Sequence, residues 1–410
     1  MTLKEHLKLK EELTYKIFNE VVGYNLNLEN PKTFNEKLQW LKLYYNDPLC
    51  TKCADKYEVR DYVKNLIGEE YLIPLLGAYD NAEDIDFDSL PNQFVLKVNW
   101  GSGQNIIVKD KSKLNIEDTK KTLNEWMKLK SNHYYYFYEW PYKNIKPKIL
   151  CEKYMANENI ENLTVYKTFC FGSKPYLFQV IIDDKTEKER INYYDLNWNK
   201  LILKQNFQNF DHDMPKPPTL DLMIEFAEKL SKGFPYFVRV DFYEVNNKIY
   251  FSEYTFYSDA GLAKFTPDDW DIKLGNLINL PKEKMIEYEY ISKEELINQV
   301  TNLEPVIKER REVNNQNNVV IKEQYIPIKK YCIFNLITLF NIDLFSINKT
   351  DKYFIITILG IKISFKMQTR PDQTRPDQTR PDLICKDNIY LYNNLKYKKL
   401  QPMLQYKNAA

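Results

Sequence analysis

The chain has 410 residues, enough for two or three domains, and 44% of them are apolar, enough for a sizeable core. Its 58 Lys and Arg residues nearly balance 57 Asp and Glu residues, which argues against a general nucleic-acid-binding surface. Neither an apolar signal segment after the first residues nor a run of about 18 apolar residues occurs, so no signal peptide or membrane-spanning helix is expected.

The first 90 residues predict a helical region with a little strand. Leu9, Leu13 and Ile17 recur at four-residue spacing, which is typical of an amphipathic helix. Thr33 followed by Glu36 forms a capping box that would begin a second helix. This second helix would span 33–45. A third helix over 55–63 and a short strand over 71–79 complete the region.

Cysteine and histidine usage gives no sign of a metal site. The six cysteines are scattered, as in proteins of a reducing compartment. Cys50 and Cys53 form one C-x-x-C, but no second pair follows at zinc spacing, so we interpret them as structural thiols. The three histidines lie far apart in the sequence and have no supporting motif.

A strand predicted over 94–99 runs into Gly101-Ser102-Gly103, and a second strand follows over 106–109. Backbone N–H groups of such a turn can approach an anion, although a plain hairpin turn is the alternative. The segment is neither a Walker A loop nor a dinucleotide fingerprint. Lys97 lies within the apolar strand, and it either faces solvent or needs a partner such as a phosphate.

The next part alternates strands and helices. A helix is predicted over 115–130, a strand with a charged centre over 148–155, and two more strands over 164–170 and 175–182. Lys167 lies in the first of these two strands. A charged hairpin or loop over 183–200 and a helix over 220–232 follow.

The strongest functional signal is a predicted hairpin over 234–265. Asn246-Asn247 is a plausible turn, because asparagine tolerates positive φ. Asp241 in the first arm and Glu253 in the second would then lie about 5 Å apart. Two adjacent carboxylates repel unless a cation lies between them, and Mg²⁺ is the cation that such a pair would hold with substrate phosphates. The alternative is two charges on a solvent face.

Past residue 285 the composition changes. We predict a helix and polar linker over 286–330 and a β-rich extension over 331–366. Gln-Thr-Arg-Pro-Asp then occurs three times over 368–382, and the repeated proline excludes a continuous helix or a central strand. The predicted organisation is therefore a helical region (1–90), a core (91–285), the helix and linker, the extension, and a repeat with a tail (367–410).

The order of these features resembles the ATP-grasp superfamily, and more closely its TupA-like family, which is linked to teichuronopeptide and other cell-surface polysaccharides. The resemblance covers about residues 30–275. It is carried by the segments 33–42, Asp55-Lys56-Tyr57, 94–99 with Gly101-Ser102-Gly103, 139–143, Tyr166-Lys167, 239–243 and 251–253.

This resemblance implies an α+β ATP-grasp fold, in which ATP lies between antiparallel sheets of two α+β subdomains. It implies a nucleotide site, a metal site and a catalytic set. The nucleotide residues would be Lys97 on the α- and β-phosphates, Gly101, Ser102 and Gly103 as a lid, Glu152, Lys153, Tyr154 and Met155 at the adenine edge, and Glu158 or Glu161 on the ribose. Asp241, Glu253 and Thr255 would hold Mg²⁺, with Thr255 standing where many members have Asn, and Arg239, Lys97 and Lys167 would be catalytic.

The implied activity is that of an ATP- and Mg²⁺-dependent carboxylate–amine ligase acting through an acyl phosphate. Its partners would be a uronate-containing glycan or nucleotide sugar and a small amine, without nucleic acid. We expect a cytoplasmic location, with contact to the inner membrane face or to a pathway enzyme through the C-terminal region. A glycosyltransferase of the same pathway, an ATP-grasp kinase and a non-catalytic assembly partner are the alternatives.

Overall fold

The structure, a computed structural model, divides into two compact units, Met1–Val320 and Ile321–Ala410. In the first unit it describes residues 3–128, 137–156, 163–184 and 186–286, and in the second it describes four strands. The predicted helix and linker over 286–330 and the Gln-Thr-Arg-Pro-Asp repeat lie outside the described residues. The finer domain boundaries remain predictions.

Seven α-helices occur in the described part of the first unit, and none of them is long and apolar enough to cross a membrane. The predicted capping box is confirmed: the Thr33 side chain accepts a hydrogen bond from the Glu36 N–H, and the Glu36 carboxylate accepts one from the Thr33 N–H. The helices are α1 (Leu3–Val21), α2 (Phe34–Tyr44), α3 (Pro48–Ala54), α4 (Val59–Ile67), α5 (Ile116–Trp126), α6 (Leu220–Ser231) and α7 (Asp269–Gly275).

The prediction of one helix over 55–63 is wrong at its start. The chain turns between α3 and α4, and Asp55 holds that turn by accepting hydrogen bonds from the Tyr57 N–H (2.8 Å) and from the Asn99 amide (2.9 Å). Aspartate commonly bonds to the backbone two residues ahead in this way, and such bonds compete with the helix.

A four-stranded antiparallel sheet has the strand order β1-β4-β2-β3. Phe94, Leu96 and Val98 of β2 are buried on one face, so Val95 and Lys97 lie on the other. The strands are β1 (Leu75–Tyr79), β2 (Phe94–Val98), β3 (Asn105–Val108) and β4 (Ile149–Lys153).

A six-stranded antiparallel sheet has the order β10-β9-β5-β6-β7-β8. The alternate residues Val238, Val240 and Phe242 of β9 are fully buried. Tyr254, the cross-strand partner of Val240, donates a hydrogen bond to the Leu230 carbonyl of α6, so α6 covers this face. The strands are β5 (Val165–Phe171), β6 (Lys174–Ile182), β7 (Arg190–Asp195), β8 (Lys200–Leu201), β9 (Phe237–Val245) and β10 (Lys248–Thr255).

The C-terminal unit contains a four-stranded antiparallel sheet, which confirms the expected β-rich extension. The fourth strand falls within the predicted repeat and tail over 367–410, so the β-structure continues past residue 366, the predicted end of the extension. The strands are β11 (Phe345–Lys349), β12 (Tyr353–Ile358), β13 (Ile361–Lys366) and β14 (Tyr390–Tyr392).

Phe34, the first residue of α2, anchors this helix on the six-stranded sheet. Its side chain is fully buried, and its ring contacts four other aromatic rings at centroid distances of 4.9 to 6.2 Å. These rings belong to Phe169, Phe171, Phe237 and Phe265. Aromatic rings dominate core packing because each buries a large area and favours tilted or edge-to-face contacts.

We expect Phe34→Ala to lower the free energy of unfolding by about 3–5 kcal/mol, because it removes transfer free energy and leaves a cavity. Urea unfolding followed by tryptophan fluorescence measures the change. Phe207→Ala makes the same substitution at a side chain that is 37% exposed and should cost much less. Equal losses at the two positions would contradict the assignment of Phe34 as an anchor.

Candidate active site

The predicted hairpin is confirmed as β9 and β10. Asn246 and Asn247 adopt φ values of 52° and 58°, the left-handed conformations that a tight hairpin turn requires. Asp241 and Glu253 are direct cross-strand partners, as predicted. The hairpin therefore brings two carboxylates together on one edge of the six-stranded sheet.

A β-bulge between Phe251 and Glu253 decides which way Glu253 points. Phe251 pairs with the buried Phe242, whereas Glu253 pairs with Asp241 on the opposite face. In a regular strand, residues two apart share a face, and Phe251 and Glu253 would then point the same way. The extra residue, Ser252, lets Phe251 enter the core while Glu253 joins Asp241.

Asp241 is the centre of a charged row that crosses three strands. Lys167 of β5 and Glu253 of β10 are its cross-strand partners on either side. The Lys167 Nζ lies 3.9 Å from Asp241 Oδ2. The row continues as Gln179 of β6 and Tyr193 of β7, whose side chains are hydrogen-bonded at 2.8 Å.

Arg239 binds both oxygens of Asp241. Its Nε and Nη2 donate to Asp241 Oδ1 and Oδ2 at 2.8 and 2.9 Å, and the residues are only 6% and 1% exposed. Burial by itself would lower the pKa of Arg239, but the adjacent Asp241 carboxylate raises it, so the guanidinium stays charged. Two parallel bonds of this kind fix the carboxylate in orientation as well as in charge.

Two hydroxyl groups complete the surroundings of Arg239. The Thr255 hydroxyl accepts a hydrogen bond from Nη2 at 2.9 Å, and the Ser258 hydroxyl accepts one from Nη1 at 3.0 Å. Thr255, expected as a metal ligand, thus lies beside the acidic pair and is bonded to the guanidinium.

On the four-stranded sheet of β1 to β4, Lys97 is paired with Glu152. Val95 and Glu152 are cross-strand partners, so Glu152 shares the face of Lys97, and the Lys97 Nζ lies 2.6 Å from Glu152 Oε2. Arg60 approaches the other oxygen at 3.6 Å. A lysine within an apolar strand therefore has a buried carboxylate as its partner.

The remaining expected nucleotide residues follow Glu152 along the chain. Lys153 ends β4 and is exposed, and Tyr154 and Met155 come directly after the strand. Their backbone groups remain the predicted adenine edge. Glu158 and Glu161, the alternative ribose contacts, lie outside the described residues.

The glycine turn joins β2 to β3. A side chain at Gly101 would collide with the Gln104 side chain and with Val98, and Gly103 has a φ of 78°. Ser102 lies exposed between them. Both glycines are therefore required by the local backbone, one for close packing and the other for its left-handed conformation.

Lys56 is a site residue that the sequence analysis did not assign. Its Nζ lies 2.9 Å from Glu253 Oε2 and donates to the Gly101 carbonyl at 2.9 Å. The Asp55 turn places it there, since Asp55 is bonded to Asn99 at the end of β2. The segment Asp55-Lys56-Tyr57 is one of those that carry the family resemblance. The sequence predicts a continuous helix there, however, and a helix would not include the turn that directs Lys56 to Glu253.

The β1–β4 sheet and the six-stranded sheet meet close to Glu152 and Glu253. Leu72 forms a parallel bridge with Phe251 of β10, and Leu75, in β1, pairs with Glu152 of β4. The short segment from Leu72 to Leu75 thus connects Phe251, two residues before Glu253, to Glu152. The Lys97–Glu152 pair and the acidic pair consequently lie on either side of one junction, and Lys56 bridges it.

The acidic pair suits Mg²⁺ chemically. In proteins Mg²⁺ is held by one or two carboxylates together with substrate phosphates, and Asp241 and Glu253 supply two carboxylates side by side. Lys56 and Lys167 already place positive charge next to these carboxylates. Within the described ranges, no group of three or more His, Cys, Asp or Glu side chains forms a metal cluster.

The two cysteines of the C-x-x-C motif have the features of structural thiols. Cys50 and Cys53 are both buried on α3 and both free. Burial raises the pKa of the Cys53 thiol to about 12, so it stays protonated. This agrees with the interpretation of the two cysteines as structural.

The family comparison agrees with the geometry. A family model described as "TupA-like ATPgrasp" matches residues 36–279, which is more than half of the chain. The protein belongs to the TupA-like ATP-grasp family. This membership confirms the expected ATP-grasp fold. No curated protein sequence matches the chain significantly.

Several solved structures are similar to this TupA-like chain. D-alanine–D-alanine ligase from Bacillus anthracis, complexed with ATP, has 14% identity and a TM-score of 0.32, and the match covers 63% of this chain and 68% of that one. The L-amino acid ligase from Bacillus licheniformis has 10% identity and a TM-score of 0.32, and the match covers 52% of this chain and 44% of that one. The match thus spans less than half the length of that second ligase. At these values the similarity carries no argument about residue roles.

We expect Arg239→Met to lower the free energy of unfolding by about 3–5 kcal/mol, because Asp241 would remain buried without its main cation. Urea unfolding measures the loss. Lys229→Met, which removes the cation of the exposed Lys229–Glu225 pair, should cost less than about 1 kcal/mol. If Arg239→Met costs no more than this control, Arg239 does not stabilise the acidic pair.

Proposed function

We propose that this TupA-like protein is an ATP- and Mg²⁺-dependent carboxylate–amine ligase that acts through an acyl phosphate. The observation that carries the proposal is the junction of the two sheets. There a Lys97–Glu152 pair on one sheet adjoins the Lys167–Asp241–Glu253 row on the other. Membership of an ATP-grasp family supports ATP as the nucleotide.

Each group at the junction then has a role. Lys97 is a compact cation suited to phosphate oxygens, and it would exchange Glu152 for the α- and β-phosphates. The Gly101–Gly103 turn would cover the phosphates and exclude water. Asp241 and Glu253 would hold Mg²⁺, which when bound would neutralise charge on the phosphate oxygens. Arg239 and Lys167 place further positive charge where negative charge develops.

The reaction proceeds in two steps. A carboxylate oxygen takes the γ-phosphoryl group of ATP, the bond from the γ-phosphorus to the bridging oxygen breaks, and ADP leaves. The amine nitrogen then attacks the acyl carbon of the acyl phosphate, and the bond from that carbon to the phosphate oxygen breaks. Starting from the ammonium form, the nitrogen loses two protons, one of which leaves with phosphate as hydrogen phosphate while the other passes to solvent. Neither step needs a nucleophile from the enzyme.

For the substrates, we propose a uronic acid of a capsular or other surface polysaccharide, or its precursor, and a small amino acid or amino alcohol. The association of the family with surface polysaccharides supports this choice, which is an argument by analogy. We propose a cytoplasmic location, because the proposed reaction consumes ATP. The C-terminal β-unit is the proposed contact with the membrane face or with a pathway enzyme.

We expect Lys97→Met to abolish the increase in melting temperature that Mg²⁺ and ATP give the wild type, because the variant lacks the phosphate-binding cation. A thermal melt with and without nucleotide measures the difference within each variant. Lys113→Met replaces a lysine whose side chain is 82% exposed and should leave the increase unchanged. An unchanged increase in Lys97→Met would show that the lysine is misassigned.

We expect ATP consumption that depends on Mg²⁺ and on a carboxylate, tested with glucuronate and galacturonate, and hydroxamate formation when hydroxylamine replaces the amine. Asp241→Asn should abolish both while the circular dichroism spectrum is retained, and Asp211→Asn, at an exposed position, should change neither. ADP formation without hydroxamate would indicate a kinase. Nucleotide release from a nucleotide sugar without ATP consumption would indicate a glycosyltransferase.

A further inference from the structure

Directly after β10 the backbone enters an unusual turn. Asp259, Ala260 and Gly261 all adopt the left-handed conformation, with φ values of 50°, 57° and 65°. Residues with a β-carbon adopt this conformation at an energetic cost, and such strained positions cluster at functional sites. Two consecutive non-glycine residues in this state therefore need support from the rest of the fold.

Helix α2 provides this support. The buried Gln39 amide donates to the carbonyl oxygens of Ala260 and Gly261 at 3.0 and 2.7 Å, and the buried Lys42 ammonium donates to the Ala260 carbonyl at 2.8 Å. A β-carbon at Gly261 would lie 2.6 Å from the Gln39 amide nitrogen and 2.9 Å from the Leu38 β-carbon. The turn is thus packed against α2 and held there by three hydrogen bonds.

The turn holds one carboxylate beside the active site. Ser258, Ala260 and Gly261 are buried, whereas Asp259 is partly exposed. Arg239 donates to the Ser258 hydroxyl, which in turn donates to Asp259 Oδ2 at 3.3 Å. The Asn206 amide donates to the other oxygen, Oδ1, at 3.1 Å. Asp259 is therefore oriented from both sides and is linked to Arg239 through one hydroxyl group.

We propose that Asp259 binds the ammonium group of the amine substrate. This inference rests on the proposed function and names the residue that receives the second substrate. An acyl phosphate beside Arg239 would need its attacking nitrogen nearby, and a carboxylate attracts an ammonium ion through charge-assisted hydrogen bonds. Arg239, Lys167 and Lys56 are the cations around the row. Among them an ammonium substrate needs a negative group that is reachable from solvent and is not one of the two proposed metal ligands.

The variant Asp259→Asn isolates the charge. Asparagine has nearly the same size and also tolerates the left-handed conformation, so the turn should persist. The binding probe is ethanolamine, and ethylene glycol is its uncharged counterpart. Saturation-transfer NMR on the full chain, with Mg²⁺ and a non-hydrolysable ATP analogue, gives the dissociation constants. Asp211→Asn, the same change at an exposed aspartate, is the control.

We expect ethanolamine to bind the wild type and Asp211→Asn equally, and to bind Asp259→Asn at least about tenfold more weakly. Ethylene glycol should not bind. Equal affinity of ethanolamine for the wild type and Asp259→Asn, or no binding to the wild type, would overturn the proposal. A merely structural role for Asp259 would lower the melting temperature without this charge-selective loss.

Hydroxylamine trapping separates this inference from the ligase proposal. Hydroxylamine is uncharged at neutral pH and does not need an ammonium site, so Asp259→Asn should lose far less of its hydroxamate formation than of its affinity for ethanolamine. A matching loss of hydroxamate would place Asp259 in the first step and would refute its role in amine binding. If the wild type forms no hydroxamate while ethanolamine binding still depends on Asp259, only the ligase proposal fails.

Discussion

The bidentate ion pair between Arg239 and Asp241 is the interaction on which the rest of the site depends. It lies on β9, next to the edge strand β10 of the six-stranded sheet, and both side chains are buried, so each charge needs the other. With Asp241 fixed, its cross-strand partners Lys167 and Glu253 are fixed as well, because register sets which side chains face each other. A row of one lysine and two carboxylates, Lys167, Asp241 and Glu253, thus follows from the strand register.

Two short pieces of chain connect this row to the other sheet. The turn at Asp55 directs Lys56 to both Gly101 and Glu253. The segment that begins at Leu72 leads from β10, the edge strand of the six-stranded sheet, into β1 of the four-stranded sheet. A nucleotide entering this junction would meet the Lys97–Glu152 pair and the acidic pair together. Most charges of the proposed site are already paired in the protein alone, so we infer that substrate binding exchanges partners.

Helix α2 shows how a segment far from the chemistry contributes to it. Its first residue, Phe34, packs among aromatic rings at one end of the sheet, and the buried Gln39 and Lys42 hold the strained turn at Asp259. A buried amide and a buried ammonium group need several acceptors, and the carbonyl groups of that turn supply them. The helix is therefore a rigid support for the edge of the site.

Local patterns in the sequence predict most of the strands and helices, the Asn246-Asn247 hairpin and the pairing of Asp241 with Glu253, because alternation, capping and turn chemistry are local properties. Other features of the site depend on the tertiary fold and have no local pattern. The bulge at Ser252 reverses the direction of Glu253, the Asp55 turn moves the start of the expected helix to Val59, and Lys97 has Glu152 as its partner. Each of these depends on contacts between segments distant in the chain, and periodicity within a single segment does not specify them.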